Sequence, residues 1–322
     1  MGTCRYAWFW FLGGVALLAL VVFSLCLGRY PVSLPLNAMT SRVLWQIRLP
    51  RVLLALLAGL ALSASGAAYQ GVFQNPMASP DILGANNGAA FGAALAIILG
   101  FPSWMIMACA FAGALLVVLA VTLLARRMRV QRTTGLILCG IMVGSLATSG
   151  TSFLKLVADP NSQLPAITYW LMGSLSGTQW KTIRSVLIPL CIGITPLLLL
   201  RWKVDLLSVG DEEAASMGIE PNRLRRIIII ASTFASSSII ASSGAIGWAG
   251  LVIPHLARRL VGSSHKRVIP ASMLLGAIFL LLVDDISRTL METEIPLGIL
   301  TAFVGAPFFL SLMASREVRH EH

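Results

Sequence analysis

The sequence predicts an all-α polytopic membrane protein, one domain over residues 1–322 with about ten transmembrane helices. Three observations predict it. Hydrophobic residues make up 57% of the chain and charged residues only 11%, where a soluble domain carries about 25% charged residues. Apolar runs recur along the whole length, and each matches the roughly 17–25 residues that cross a hydrocarbon core of about 30 Å. Lys and Arg flank these runs. Lipid offers the backbone no hydrogen bonds, so such runs must be helices.

The first span is expected near 8–28. "MGTCRYAWFWFLGGVALLALVVFSLCLG" begins like a signal peptide, but its apolar stretch exceeds the roughly 7–15 residues of an h-region and no clear A-x-A site follows. Further spans are expected near 50–70, 83–99, 104–125, 134–156, 184–200, 226–243, 246–261, 268–290 and 296–314. The eighth is short and marked by Gly and Pro. Gly84, Gly88 and Gly92 recur four apart, as do Gly140 and Gly144. Small-xxx-small ridges of this kind let helix backbones approach closely within a bundle.

The net charge of +11 raises the question of nucleic acid. The cations flank apolar runs and form no stripe with interleaved aromatics, so a nucleic-acid partner is not expected. One set of loops carries Arg126, Arg127, Arg129, Arg132, Arg201, Lys203, Arg223, Arg225, Arg226, Arg258, Arg259, Lys266 and Arg267, joined by Arg5, Arg316 and Arg319 near the termini. The other side holds fewer: Arg29, Arg42, Arg48, Arg51, Lys155, Lys181, Arg184 and Arg288. The excess predicts that both termini are cytoplasmic, together with the loop between the sixth and seventh spans.

That loop is unlike the rest. "LLSVGDEEAASMGIEP", residues 206–221, holds Asp211, Glu212 and Glu213. Acids suit the first turn of a helix, Ser208 or Asp211 suits its cap, and Gly218 with Pro221 suits its end. A short, firmly bounded cytoplasmic helix is expected: either a connector lying on the surface or a helix that docks a partner.

Enzyme signatures are thin. No G-x-x-x-x-G-K-[ST] is present, so ATP is not expected to bind this chain through a P-loop. Ser152 to Lys155 fits S-x-x-K only by letter, without its companion motifs. HExxH is absent. His255 stands alone, and His265, His320 and His322 form no cluster. Cys4, Cys26, Cys109, Cys139 and Cys191 are scattered without a CxxC pair, so neither disulfides nor a zinc site is suggested. No catalytic or metal-ligating residue is assigned. Asp284 and Asp285 approach the outer end of the ninth span, where packing or an interfacial position accounts for them. Ion coupling would need such intramembrane acids at working positions, so an ion-coupled secondary transporter is the rival to an ATP-driven one.

Six stretches resemble one family. "QIRLPRVLLALLAGLALSASGAAYQ" is similar to its R-L-P-R segment. "NPMASPDILGANNGA" resembles its N-P-L-A-x-P-x-x-L-G stretch, with Met77 where Leu is usual. "YWLMGSLSGTQW" and "LLSVGDEEAASMGI" follow, the latter with Val209 and Met217 replacing leucines. "SGAIGWAGLVIPHLARRLVGSSHKRVIP" is the most specific piece, and "IPLGILTAFVGAPFFLSLM" closes the match. The chain is thereby identified as similar to the FecCD-type, or type II, ABC importer permeases for iron–siderophore, haem or cobalamin uptake.

The resemblance implies the type II permease fold in a bacterial inner membrane. It implies a homodimer, two ABC ATPase subunits that bind ATP and Mg, and a periplasmic or lipoprotein binding protein, with no cofactor in this chain. A coupling-helix segment at about 203–224 would meet the ATPase through Leu206, Gly210, Asp211, Glu212, Ala215 and Gly218. Arg48, Arg51 and Arg288 would meet acids of the binding protein; interfacial snorkelling is the plainer account of them. Asn75 and Met77, with Thr133 and Thr134, would narrow the pathway at the cytoplasmic gate, although either threonine could simply cap the fifth span. An iron–siderophore complex is the favoured cargo, haem or cobalamin comes next, and an oxyanion such as molybdate stays open.

Overall fold

The computed structural model describes residues 3–28, 30, 37–128 and 131–317, with the side chains of 3–5, 132 and 311–317 left undescribed. The side chains of Cys4, Arg5, Arg29, Arg129, Arg132, Arg316, Arg319, His320 and His322 therefore lie outside the described residues. Among the described residues every regular element is a helix. In order they are α1 (Thr3–Cys26), α2 (Ala38–Val43), α3 (Leu49–Val72), α4 (Ala85–Ile98), α5 (Ser103–Ala125), α6 (Arg132–Val157), α7 (Gln163–Met172), α8 (Trp180–Leu199), α9 (Arg201–Val209), α10 (Asp211–Ser216), α11 (Pro221–Ser243), α12 (Ala249–Val261), α13 (His265–Thr289) and α14 (Leu297–Glu317). A π-helical turn, Leu44–Arg48, joins α2 to α3, and a 3-10 turn, Pro80–Leu83, precedes α4.

All ten expected spans fall on helices. Seven helical stretches are long and apolar enough to cross a bilayer: Tyr6–Cys26, Ala38–Val72, Ser103–Ala125, Thr133–Val157, Trp180–Leu199, Pro221–Ser243 and His265–Thr289. Ala85–Ile98 and Leu297–Leu310 are shorter apolar helices, and α12 has 13 residues. At 1.5 Å rise per residue, α4 and α12 are each about 20 Å long, short of a hydrocarbon core of about 30 Å. Both start inside the bundle. α4 follows Gly84 at φ 73°, and α12 follows Trp248 at φ 66°. The two starts adjoin, because a Cβ on Gly250 would stand 3.2 Å from Pro80 Cδ. Interrupted helices are tolerated at membrane depth where protein surrounds the freed backbone.

α3 is the central helix, packed against α13, α11 and α12. Its Ala, Gly and Ser residues bring neighbouring backbones into contact. A Cβ on Gly59 would lie 1.9 Å from the Gly276 carbonyl oxygen of α13, and one on Gly66 would lie 1.8 Å from the Gly250 oxygen of α12. The glycine ridges read from the sequence serve the same purpose. Gly88 and Gly92 of α4 face the carbonyls of Gly113 and Cys109 on α5, and Gly140 of α6 faces that of Ile82. Dispersion between close backbones replaces the hydrophobic drive that lipid cannot supply. α1 packs along α13 but is otherwise mostly exposed.

Candidate functional site

At one end of the bundle the chain between α8 and α11 forms a platform. The expectation of a single helix over 206–218 is corrected here: Gly210, at φ 151° and ψ 158°, breaks it into α9 and α10. Ser208 lies inside α9 and its hydroxyl donates to the Asp205 carbonyl at 2.6 Å, so it caps nothing. The end of α10 is as read. Gly218 takes φ 78°, its N–H donating to Ala215 O at 3.0 Å, and Pro221 opens α11. Asp211, Glu212, Ala215 and Gly218 are exposed, Leu206 and Gly210 half-buried. Val209 and Met217 add exposed apolar surface.

Two ties fasten this platform. The Arg225 guanidinium of α11, only 3% exposed, donates to Asp211 Oδ1 at 2.8 Å and Oδ2 at 3.2 Å. Asp205 of α9 caps the start of α13: Oδ1 accepts from the His265 backbone N–H at 2.5 Å and lies 2.8 Å from His265 Nδ1, while Oδ2 accepts from Ser264 Oγ at 2.7 Å. Burial pushes the Asp205 carboxyl up, but the hydrogen bonds from His265 and Ser264 outweigh it and hold the group down to about 2.

Beside the platform lies the loop after α3. Asn75 Oδ1 accepts from the Met77 N–H at 2.9 Å, and Met77 is 49% exposed. Gln74, next in the chain, takes a left-handed φ of 50° and donates from Nε2 to Leu207 O of α9 at 2.6 Å. Thr133 is half-buried and Thr134 exposed, both in the first turn of α6, whose N-cap is Gln131. Neither threonine occupies the cap position.

The opposite end carries the three singled-out arginines, all engaged internally. Arg48, 5% exposed, ends the π-helical turn and donates to the carbonyls of Leu25 at 2.8 Å, Cys26 at 3.1 Å and Tyr30 at 2.5 Å. Arg51 lies between Asp284 and Glu294, with bonds of 3.0 to 3.1 Å to the first and 2.6 and 3.0 Å to the second. Arg288 pairs with Asp285 and donates to the Ser24 carbonyl at 2.6 Å. Asp284 and Asp285 are thus buried counter-ions, in line with the packing account of them. An open vestibule of about 620 Å³ lies here, lined by Gln46, Arg51, Leu175, Thr178, Trp180 and Lys181.

Sequence reasoning passed over residues along the middle of the bundle. Leu62, Pro80, Asp81, Trp248 and Gly250 line a cavity of about 210 Å³ where α4 and α12 begin. Asn86, Met172, Trp248, Gly298, Phe303 and Pro307 line a wider groove of about 780 Å³. The proline and glycine breaks at 80–84 and 244–250 were the available signal, since half-helices cluster at transport sites. Trp248, at positive φ, is strained in the manner that marks functional positions.

The comparisons agree with this architecture. The chain is 37% identical over 312 residues to the molybdate import system permease protein MolB of Haemophilus influenzae, covering 92% of this chain and 93% of that one. It is 40% identical over 314 residues to the Fe(3+)-citrate import system permease protein YfmE of Bacillus subtilis, covering 93% and 92%. A solved structure described as an inward-facing conformation of a metal-chelate type ABC transporter superposes with a TM-score of 0.90, at 37% identity, over 95% of this chain and 98% of that one. The FecCD transport family model matches residues 16–315. A helical bundle with interrupted α4 and α12, matched from first span to last, belongs to the FecCD transport family of ABC importer permeases.

Proposed function

We propose that this chain is the translocating half-channel of a homodimeric importer that carries a metal chelate, an iron–siderophore complex first among the candidates, across a bacterial inner membrane. In this reading α10 and both termini face the cytoplasm, where the basic loops lie. Two ATPase subunits, which alone bind ATP and Mg, dock on the platform. The observation that carries the reading is the platform itself: exposed Glu212 and Ala215 on a short helix, with exposed Met217 and Gly218 just past its end, fastened to α11 by Asp211–Arg225. A connector without a partner has no need of exposed Val209 and Met217 beside acids. The relatives named for Fe(3+)-citrate and molybdate import support a metal-containing solute and leave open which one, with haem and cobalamin also candidates.

The binding protein, periplasmic or lipid-anchored, would settle on the vestibule end. Arg51 lines the vestibule, while Arg48 and Arg288 hold the end of α1 through its last carbonyls. Direct contact of Arg48 or Arg288 with a partner's acids would require them to exchange their present acceptors. An ion-coupled mechanism finds little support, because Asp284 and Asp285 are each neutralised by an arginine.

The test is gentle detergent purification with copurifying chains quantified by mass spectrometry. A P-loop ATPase at one copy per permease is expected. Repeated recovery without one, in mild detergents and with nucleotide present, would refute the proposal and advance the secondary-transporter reading. For the docking face, Lys181→Glu, at an exposed residue lining the vestibule, is expected to weaken binding-protein affinity while the ATPase stays bound; unchanged affinity removes the vestibule from that face.

A further inference from the structure

We infer that Gln74 and Asp205 are the positioning residues of a lever: they tie α9 of the docking platform to the end of α3 that leads into the 75–77 loop and to the start of α13. The inference rests on the ATPase-docking reading given above and adds the route by which docking is felt.

α9 is held from two directions. On one side Asp205 supplies the cap that α13 lacks. Ser264, at the N-cap position of α13, makes no side-chain cap of its own, and a carboxylate from α9 takes both the Ser264 hydroxyl and the His265 N–H. The first turn of a helix has orphan N–H groups, so this bond ties the start of α13 to α9. On the other side the Leu207 carbonyl, in the last turn of α9, holds the Gln74 amide. That carbonyl is one of the orphan acceptors at a helix end.

Gln74 is one of two non-glycine residues at positive φ among the described residues. A left-handed glutamine costs free energy and persists only where its surroundings fix it. Its backbone closes α3 as a Schellman turn, the Gln74 N–H donating to Gly71 O at 3.3 Å and the Asn75 N–H to Gln70 O at 3.2 Å, a position that ordinarily takes glycine; what the glutamine adds is its side-chain bond to Leu207 O. Asn75 follows and its Oδ1 holds the Met77 N–H at 2.9 Å, so a shift of α9 that carries Gln74 displaces this loop. Little slack separates the parts. A Cβ on Gly71, at the end of α3, would come 2.3 Å from Val204 of α9 and 2.7 Å from His265 of α13. Val204 and Leu207 are buried. Packed elements of this kind shift as units between discrete arrangements and do not deform smoothly.

The consequence concerns coupling, not assembly. α10 presents the exposed surface and α11 holds it through Arg225, whereas α9 holds Gln74, just before the 75–77 loop, and the start of α13. Loss of either α9 bond leaves the ATPase docked and hydrolysing, but the loop no longer follows it.

The experiment uses the purified permease–ATPase complex in nanodiscs. Met77→Cys is the reporter, read as the rate of maleimide labelling above that of the same complex without this cysteine. Rates are measured in the nucleotide-free and the ATP–vanadate-trapped states. In the parent, trapping is expected to change the rate by about fivefold or more, the low end of typical allosteric coupling. Gln74→Gly accepts the left-handed φ and removes only the side-chain bond; it is expected to abolish the change with ATPase stoichiometry and hydrolysis retained. Asp205→Ala is expected to reduce the change, and Asp205→Asn, which keeps an acceptor oxygen, to restore part of it. A nucleotide response that persists undiminished in Gln74→Gly and Asp205→Ala overturns the lever, as does a parent complex with bound ATPase and no response. Failure of the ATPase to bind the parent overturns instead the docking reading on which the lever rests.

Discussion

Removal of Arg51 is expected to destabilise the permease more than removal of either of its acids, and the structure sets the order. Asp284 has no exposed side-chain surface. Among the described residues its carboxylate accepts side-chain hydrogen bonds from Arg51 alone, at 3.0, 3.1 and 3.0 Å. Arg51→Met therefore leaves the buried Asp284 carboxylate without its hydrogen-bonded partner, which costs about 3–5 kcal/mol. Asp284→Asn is milder. Arg51 keeps Glu294 at 2.6 and 3.0 Å, so the loss is that of a buried hydrogen-bonded partner, about 1–3 kcal/mol. Glu294 has a quarter of its side chain exposed, and Glu294→Gln should cost about 0–1 kcal/mol, as partly solvated pairs do. The double variant Arg51→Met, Asp284→Leu removes both charges, and such replacements are often neutral. The assay is thermal unfolding of the detergent-purified protein followed by tryptophan fluorescence. The expected order of apparent midpoints is Arg51→Met lowest, then Asp284→Asn, then Glu294→Gln near the parent, with the double variant above Arg51→Met. A double variant less stable than Arg51→Met, or Glu294→Gln as damaging as Arg51→Met, refutes the reasoning.

At the other end, Asp211→Ala should destabilise more than Arg225→Met, because Arg225 is buried at 3% exposure while Asp211 is 52% exposed and can rehydrate; equal melting points would contradict the asymmetry. Gly66→Ala forces a methyl against the Gly250 carbonyl and should cost about 1–3 kcal/mol, as overpacking does, whereas Gly14→Ala on α1 meets nothing and should be silent in the same melt. Asp205, held at about 2 against an ordinary 3.8, contributes stability that is present above pH 3.8 and lost as pH falls through about 2. Acid unfolding of Asp205→Asn should therefore depend less on pH across that window than the parent does.

What could be read from the sequence was local in origin. Each of the ten spans carries its own apolar run, and Gly218 with Pro221 announces a helix end within four residues. The glycine ridges announce contact without naming the partner: Gly92 meets Cys109 close by in sequence, but Gly59 meets Gly276. The break at Gly210 was not legible, because a lone glycine within a helical pattern is ordinarily tolerated. α7 was missed as well; at 10 residues it is too short to register as a span. The singled-out arginines were noticed as cations near a membrane edge, yet their acceptors could not be foreseen. Asp284 is 233 residues from Arg51, and the Ser24 carbonyl is 264 from Arg288. Nor did any signal mark Gln74, whose side chain is held by a carbonyl 133 residues away.

The pin between α1 and α13 bears on how the molecule is made. Ser24 Oγ donates to Asp285 across 261 residues of chain, and Arg288 closes the joint from the same side. At translation rates of about 5–20 residues per second, the partner of Ser24 is synthesised about 13–50 s after Ser24 itself. Through that interval the first helix waits in the bilayer without the residues that secure its C-terminal end. Insertion of α1 and its capture by the bundle are therefore separate events in biogenesis. A nascent chain stopped before residue 285 would present α1 as a loose helix, a form that membrane quality control could tell from the finished permease.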